Sequence, residues 1–162
     1  MDRVFSPWRG EYIRQPSGSG GAKRCIFCAG EADMAAPDSL LLGLYPNSVA
    51  LLNLYPYNNG HLMVVPYAHV PGIDLLTPEV RFEMIEMVNQ AITVLREVYQ
   101  PDGFNIGVNM GEAAGAGIAE HAHIHVVPRW AGDTSFISTV GETRVIPENL
   151  EVTFRRISSA WK

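Results

Sequence analysis

The sequence predicts one antiparallel α+β domain, and three observations predict it. Two short apolar runs, residues 49–54 (VALLNL) and 62–65 (LMVV), flank a segment dense in turn formers. A long amphipathic stretch follows, from about residue 78 to 99. Two more strand-like runs, residues 104–108 and 122–127, enclose a loop of small residues. Strands in adjacent pairs with a helix between them make an antiparallel sheet, not an alternating parallel one. A chain of 162 residues suits one such domain and leaves enough interior for a hydrophobic core.

The elements follow in chain order. Residues 1–24 read as an N-terminal arm and a flexible loop. Phe5, Trp8, Tyr12 and Ile13 give the arm something to pack with, and residues 15–23 (QPSGSGGAK) are polar and rich in Gly and Ser. The folded domain is expected over residues 25–162. Residues 55–60 (YPYNNG) join the first two strands as a hairpin loop, and Pro66 stops the second. Thr77-Pro78-Glu79 is a helix start: an N-cap, a proline at the first helical position, and an acid in the first turn. Met84, Val88, Ala91, Leu95 and Val98 then recur every three or four residues, an apolar stripe on a helix roughly 30 Å long. Its methionines read as core, not as a cofactor box. Pro101-Asp102-Gly103 ends it. Pro147-Glu148-Asn149 opens a C-terminal helix carrying Leu150, Phe154, Ile157 and Trp161.

The formal net charge is −5. That excludes a nucleic-acid coat and a polybasic membrane surface, both of which need surplus Lys and Arg. No apolar run reaches the length of a membrane span, and residues 1–14 form no secretory leader, so a cytoplasmic protein is expected. Any phosphate ligand must be met by backbone amides, imidazoles or a helix N-terminus. The chain's two cysteines are Cys25 and Cys28. At that spacing they suit a metal clip, a redox couple or two buried thiols.

Residues 120–128 (EHAHIHVVP) carry the most information. Strand side chains alternate faces, so His121, His123 and His125 point the same way at about 7 Å spacing, while Ala122, Ile124 and Val126 turn to the core. Three buried structural histidines are the plain alternative. A sharper one is a catalytic metal on a His-x-His pair.

The run His121-Ala122-His123-Ile124-His125-Val126-Val127 resembles the signature of the histidine-triad family. Residues 60–69 (GHLMVVPYAH) resemble that family's second motif, G-H-x-φ-φ-x-P-x-x-H. The resemblance extends over about residues 25–133. Residues 6–9 (SPWR) and 128–133 (PRWAGD) are similar to the prokaryotic hydrolase and phosphorylase branch.

This resemblance implies a histidine-triad fold, a small antiparallel sheet with one long helix and a C-terminal helix, paired as a homodimer. It implies nucleotidyl transfer on a dinucleoside polyphosphate such as diadenosine tetraphosphate. His123 would attack the α-phosphorus and form a nucleotidyl-histidine, one ring nitrogen being held so that Nε2 is available. His125 and His61 would donate to the phosphate, and amides from Gly115 and Gly117 to Ile118 would add further donors. Asn53 lies where relatives carry an Asn near the nucleotide. Asn109 lies where they place an amide touching phosphate, though it also suits a strand-end cap. Cys25, Cys28, His69 and His121 match a structural zinc set, and magnesium would accompany the substrate.

Two departures stand out. The loop from Asn109 to His121 is one residue longer than in the eukaryotic enzymes. Ile118 stands where many relatives have Ser or Thr, which tells against a phosphoramidase. His125, in place of the transferases' Gln, favours water as acceptor, because an imidazole can take a proton from it. Arg129 could instead hold a phosphate acceptor. A phosphorylase, a non-catalytic nucleotide-binding module and a hydrolase with metal on all three histidines are the other readings.

Overall fold

The computed structural model describes residues 25–28, 40–134, 140 and 145–162. The expected arm and its flexible loop lie outside these residues. Five strands form one sheet: β1 (Leu41–Leu44), β2 (Ser48–Leu52), β3 (Leu62–Pro66), β4 (Gly103–Val108) and β5 (Ile124–Arg129). Their spatial order is β1-β2-β3-β5-β4, and every pairing is antiparallel. Two long α-helices stand among the described residues, α1 (Pro78–Tyr99) and α2 (Leu150–Ala160).

The hairpin forms as expected, with Ser48 opposite Pro66 and Leu52 opposite Leu62. Gly60 in its loop has φ of +73°, and a Cβ there would stand 2.9 Å from Leu95 Cδ2. Only glycine accepts both the backbone turn and the close approach to α1. Helix α1 has the expected ends. Thr77 caps it by accepting from Val80 N, and Gln100 closes it at φ 47°. Met84, Met87, Val88, Ala91, Val94 and Leu95 are buried, while Val98 is half-buried.

One face of the sheet rests on both helices. Ala50, Leu52, Leu62, Val64, Ile124 and Val126 pack with the α1 stripe and Ile157 in a single cluster. Alternation sends Val49, Met63 and Val65 to the opposite face, where Phe27, Leu41 and Leu51 join them. That second face has no helix of its own among the described residues, and it carries the site.

The structure departs from the sequence expectation at two strands. Strand β1 is additional to the four expected. Strand β5 begins at Ile124, so His121 and His123 precede it, although Ala122 N still donates to Val70 O and keeps the approach extended. On the C-terminal segment, Phe154, Ile157 and Trp161 pack on the chain's own core.

Helix α2 is anchored by Glu148. Its carboxylate accepts from Tyr99 Oη, from Thr153 Oγ1 at 2.8 Å and from Arg156 Nη1 at 2.7 Å. Burial pushes the Glu148 pKa up, but these hydrogen bonds outweigh it and hold the group below its ordinary value. Burial, with Glu148 beside it, pushes the Tyr99 phenol up to about 12. A depressed carboxylate stabilises the fold above its unfolded pKa of about 4.3, and that contribution is lost as pH falls through the lower folded value. Glu148→Gln should therefore flatten the acid limb of the stability curve. It should also cost about 1–2 kcal/mol at neutral pH, a melting-temperature loss of a few degrees, measurable by thermal denaturation from pH 3 to 7.

Candidate active site

His61, His121, His123 and His125 are buried, at 1%, 0%, 4% and 8% exposure. The β3–β5 pairing brings them together. Met63 faces His125 across the ladder, and His61 enters from the end of the hairpin loop. The rings of His123 and His125 lie 4.7 Å apart, and those of His61 and His125 5.1 Å apart.

Hydrogen bonds assign the ring protons. His123 Nδ1 lies 2.9 Å from the His121 carbonyl oxygen. A carbonyl only accepts, so Nδ1 carries the proton and Nε2 keeps its lone pair. Burial pushes the His123 pKa below its ordinary value, with the bond to His121 acting the other way. The ring therefore favours its neutral form and turns its bare Nε2 away from the backbone. On the other side, Tyr57 N–H donates to His61 Nδ1 at 3.0 Å. His61 therefore carries its proton on Nε2 and donates to His125 Nδ1, 3.0 Å away. His125 in turn carries its proton on Nε2. His123 thus presents a bare Nε2, while His61 and His125 carry their protons on Nε2.

A cleft of about 850 Å³ opens over this face. Leu51, Asn53 and Met63 form its floor with His123 and His125, and the loop of Gly115, Ala116, Gly117 and Ile118 forms one side. Within the loop, Gly115 N donates to Glu112 O and Ala116 N to Gly111 O. Among the described residues the amides of Gly117 and Ile118 have no backbone acceptor, so these two are the loop's available donors. Asn53 lines the cleft, its Oδ1 accepting from Tyr55 N at 2.9 Å. Asn109 follows β4, half-buried, and is not among the lining residues. Arg129 is committed elsewhere: Nε and Nη2 each lie 2.6 Å from Asp133 oxygens, and Nη1 lies 2.6 Å from Asn105 Oδ1. Its expected hold on a phosphate acceptor is not supported.

Sequence reasoning missed Tyr57 and Phe27. Tyr57 stacks on His125 and lies tilted against His61, and Phe27 lies against His121 and His123. Phe27 sits between the two cysteines, a position that becomes informative only once their turn is placed under the triad.

Cys25, Cys28, His69 and His121 converge, with one ligand atom from each lying within 4.8 Å of all the others. Cys25 Sγ and Cys28 Sγ are 3.4 and 3.6 Å from His121 Nδ1. His69 Nδ1 is 3.2 Å from Cys28 Sγ and 3.3 Å from His121 Nδ1. A tetrahedral ion bonded at about 2.0–2.3 Å sets ligand edges of roughly 3.3–3.8 Å, so the group fits a metal. His121 Nε2 donates to Pro66 O at 2.8 Å, which leaves Nδ1 bare for a ligand bond. His121 thus belongs to this group and not to the cleft, which separates it from the other two triad histidines.

The HIT domain model matches residues 36–132. The chain belongs to the HIT family. It is 38% identical over 167 aligned positions to a Mycobacterium tuberculosis protein named AP-4-A phosphorylase, covering 99% of this chain and 85% of that one. It is 34% identical over 88 residues to an asymmetrical bis(5'-nucleosyl)-tetraphosphatase of Schizosaccharomyces pombe, covering 54% of this chain and 48% of that one. Among solved structures, a zinc-bound histidine triad family protein from Mycobacterium smegmatis superposes with a TM-score of 0.69 at 31% identity, covering 87% of this chain and 95% of that one. The HIT signature and the observed sheet therefore agree.

The ligand geometry makes a metal prediction. Purified protein should hold about one ion per chain in this four-ligand shell. Cys28→Ser should lose that ion and lower the melting temperature, while the same substitution in chelated protein should do little. Elemental analysis alongside calorimetry checks both.

Proposed function

We propose that this HIT protein cleaves dinucleoside polyphosphates, diadenosine tetraphosphate among them, through a covalent nucleotidyl-His123 intermediate that water resolves. The observation that carries this is the His123 bond to the His121 carbonyl, which supplies a neutral imidazole with a bare Nε2 at the cleft. Nε2 attacks the α-phosphorus, a P–N bond forms, the bridging P–O bond breaks, and ATP departs with the bond electrons. A water oxygen then bonds the phosphorus, the P–N electrons return to His123 Nε2, one water proton passes to solvent and AMP leaves. The leaving ATP is an anion that needs no added proton, so Ile118 in place of a hydroxyl is no handicap.

Inorganic phosphate is the second acceptor, favoured by the similarity along nearly the whole chain to the M. tuberculosis AP-4-A phosphorylase. The ring-proton assignment makes His125 a donor and not a base for water, so a histidine in the third triad position suits either acceptor. His123→Asn should abolish turnover by roughly three orders of magnitude or more while nucleotide binding survives. Product analysis with diadenosine tetraphosphate separates the acceptors. Hydrolysis gives AMP and ATP in phosphate-free buffer, whereas turnover that starts only with phosphate and yields ADP and ATP assigns the phosphorylase.

The ion we assign to Cys25, Cys28, His69 and His121 is zinc, supported by the two-thiolate, two-imidazole set and by the zinc-bound relative. Magnesium would come with the substrate phosphates. The domain is taken as residues 25–162 with 1–24 as an arm, and a cytoplasmic setting suits thiols kept reduced for metal. No helix among the described residues is long and apolar enough to cross a membrane.

The protein is further proposed to be a homodimer joined through β4. This edge strand pairs only with β5 among the described residues and exposes Asn105, Ile106 and Gly107. Light scattering at micromolar concentration should give a dimer mass, and Ile106→Pro should shift it toward monomer by removing a ladder donor.

A further inference from the structure

The turn Cys25–Cys28 serves two sites, one with its outer pair of residues and the other with its inner pair. Cys25 and Cys28 face the metal group. Ile26 and Phe27, between them, line the cleft. The Phe27 ring centre stands 5.4 Å from that of His121 and 5.1 Å from that of His123, wedged against a metal ligand and the nucleophile together. Ile26 is 60% exposed, apolar surface turned to the opening.

The contacts of this turn tie it to the metal group and to the triad at once. Its backbone bond, Cys28 N to Cys25 O, is internal. Among the described residues it joins no strand. The two sulfurs at His69 and His121 and the packing of Phe27 link the turn, among the described residues, to the sheet. A thiol hydrogen bond is weak, whereas a metal–thiolate bond fixes its sulfur firmly.

We propose that the metal is a positioning device for the nucleotide cleft. By clamping the Cys25–Cys28 turn onto His69 and His121 it sets Phe27 and Ile26 as one apolar wall and Phe27 as the backing of His123. Nucleotide affinity then depends on the metal through Phe27, a residue that touches no metal itself. This inference rests on the reading of the cleft as a nucleotide site.

The probe is AMP, whose binding is measured by calorimetry on the full chain. Metal-loaded protein should bind it, chelation should raise Kd about tenfold, and zinc should restore it. Phe27→Ala should raise Kd by a similar factor while keeping its metal and its melting temperature within a few degrees. Chelating Phe27→Ala protein should then weaken binding much less than it does in the parent, because wall and clamp act as one unit. Hydrogen exchange should show faster amides at residues 25–28 on chelation, with α1 unchanged.

Binding unaffected by Phe27→Ala overturns the proposal, and that variant stays informative even where chelation unfolds the chain. Fully additive losses overturn it too. Failure of metal-loaded protein to bind AMP would instead strike the nucleotide reading. The coupling is then read from the His123 Nδ1–H signal by NMR: its broadening on chelation supports the clamp, and an unchanged signal refutes it.

Discussion

The antiparallel pairing of β3 with β5 is the constraint on which the rest of this molecule depends. It sets Leu62 against Val126 and Val64 against Ile124 on the face that meets α1, and Met63 against His125 on the other. Because strand side chains alternate, a slip of one residue would drive the histidines into the helix packing and turn isoleucine and valine to the cleft. Burial of the apolar set under α1 makes that slip costly. The hydrophobic effect thus chooses the face on which the chemistry occurs.

The second level of order is in the protons. His123 and His61 are each fixed by one backbone group, the His121 carbonyl and the Tyr57 amide. Backbone groups cannot change their donor or acceptor character, so each ring is committed to one tautomer. The commitment passes to His125 through the 3.0 Å bond from His61. His121 is committed in the same way by the Pro66 carbonyl, with the opposite outcome: its Nδ1 faces the sulfurs. Adjacent histidines of one motif thereby do unlike work.

Much of this was legible in the residues. The alternating apolar positions 122, 124 and 126 and the capped stripe of α1 are local patterns, and they fix the hairpin, the helix and the buried side of the histidine run. What escaped depended on distant contacts. Strand β1 contains Gly43, a poor strand former, and its reason lies in Trp161 at the far end of the chain, whose Nε1 leaves only 2.4 Å to a Cβ built there. Arg129 looked available for an anion because a sequence does not show which carboxylate a guanidinium will meet; Asp133 and Asn105 occupy it. Tyr57 acts on His61 through its backbone amide, which no side-chain motif reports. Phe27 gained its role from the convergence of four ligands drawn from three separate segments of chain.

The committed state of Arg129 bears on how the proposed nucleotide site would hold phosphate. Among the described residues the cleft lining includes no lysine or arginine, and it does include Glu112. Charge attraction therefore contributes little at contact distance, in a chain whose net charge is already −5. What remains are N–H dipoles: His125 and the amides of Gly117 and Ile118. Such donors stabilise charge where it builds up on phosphorus oxygens without neutralising it at rest. A cationic clamp would hold substrate and anionic product alike. On the proposed function, a neutral one, aimed by tautomers fixed before substrate arrives, meets charge as it gathers on the phosphorus oxygens at unchanged net charge and lets the nucleotide leave.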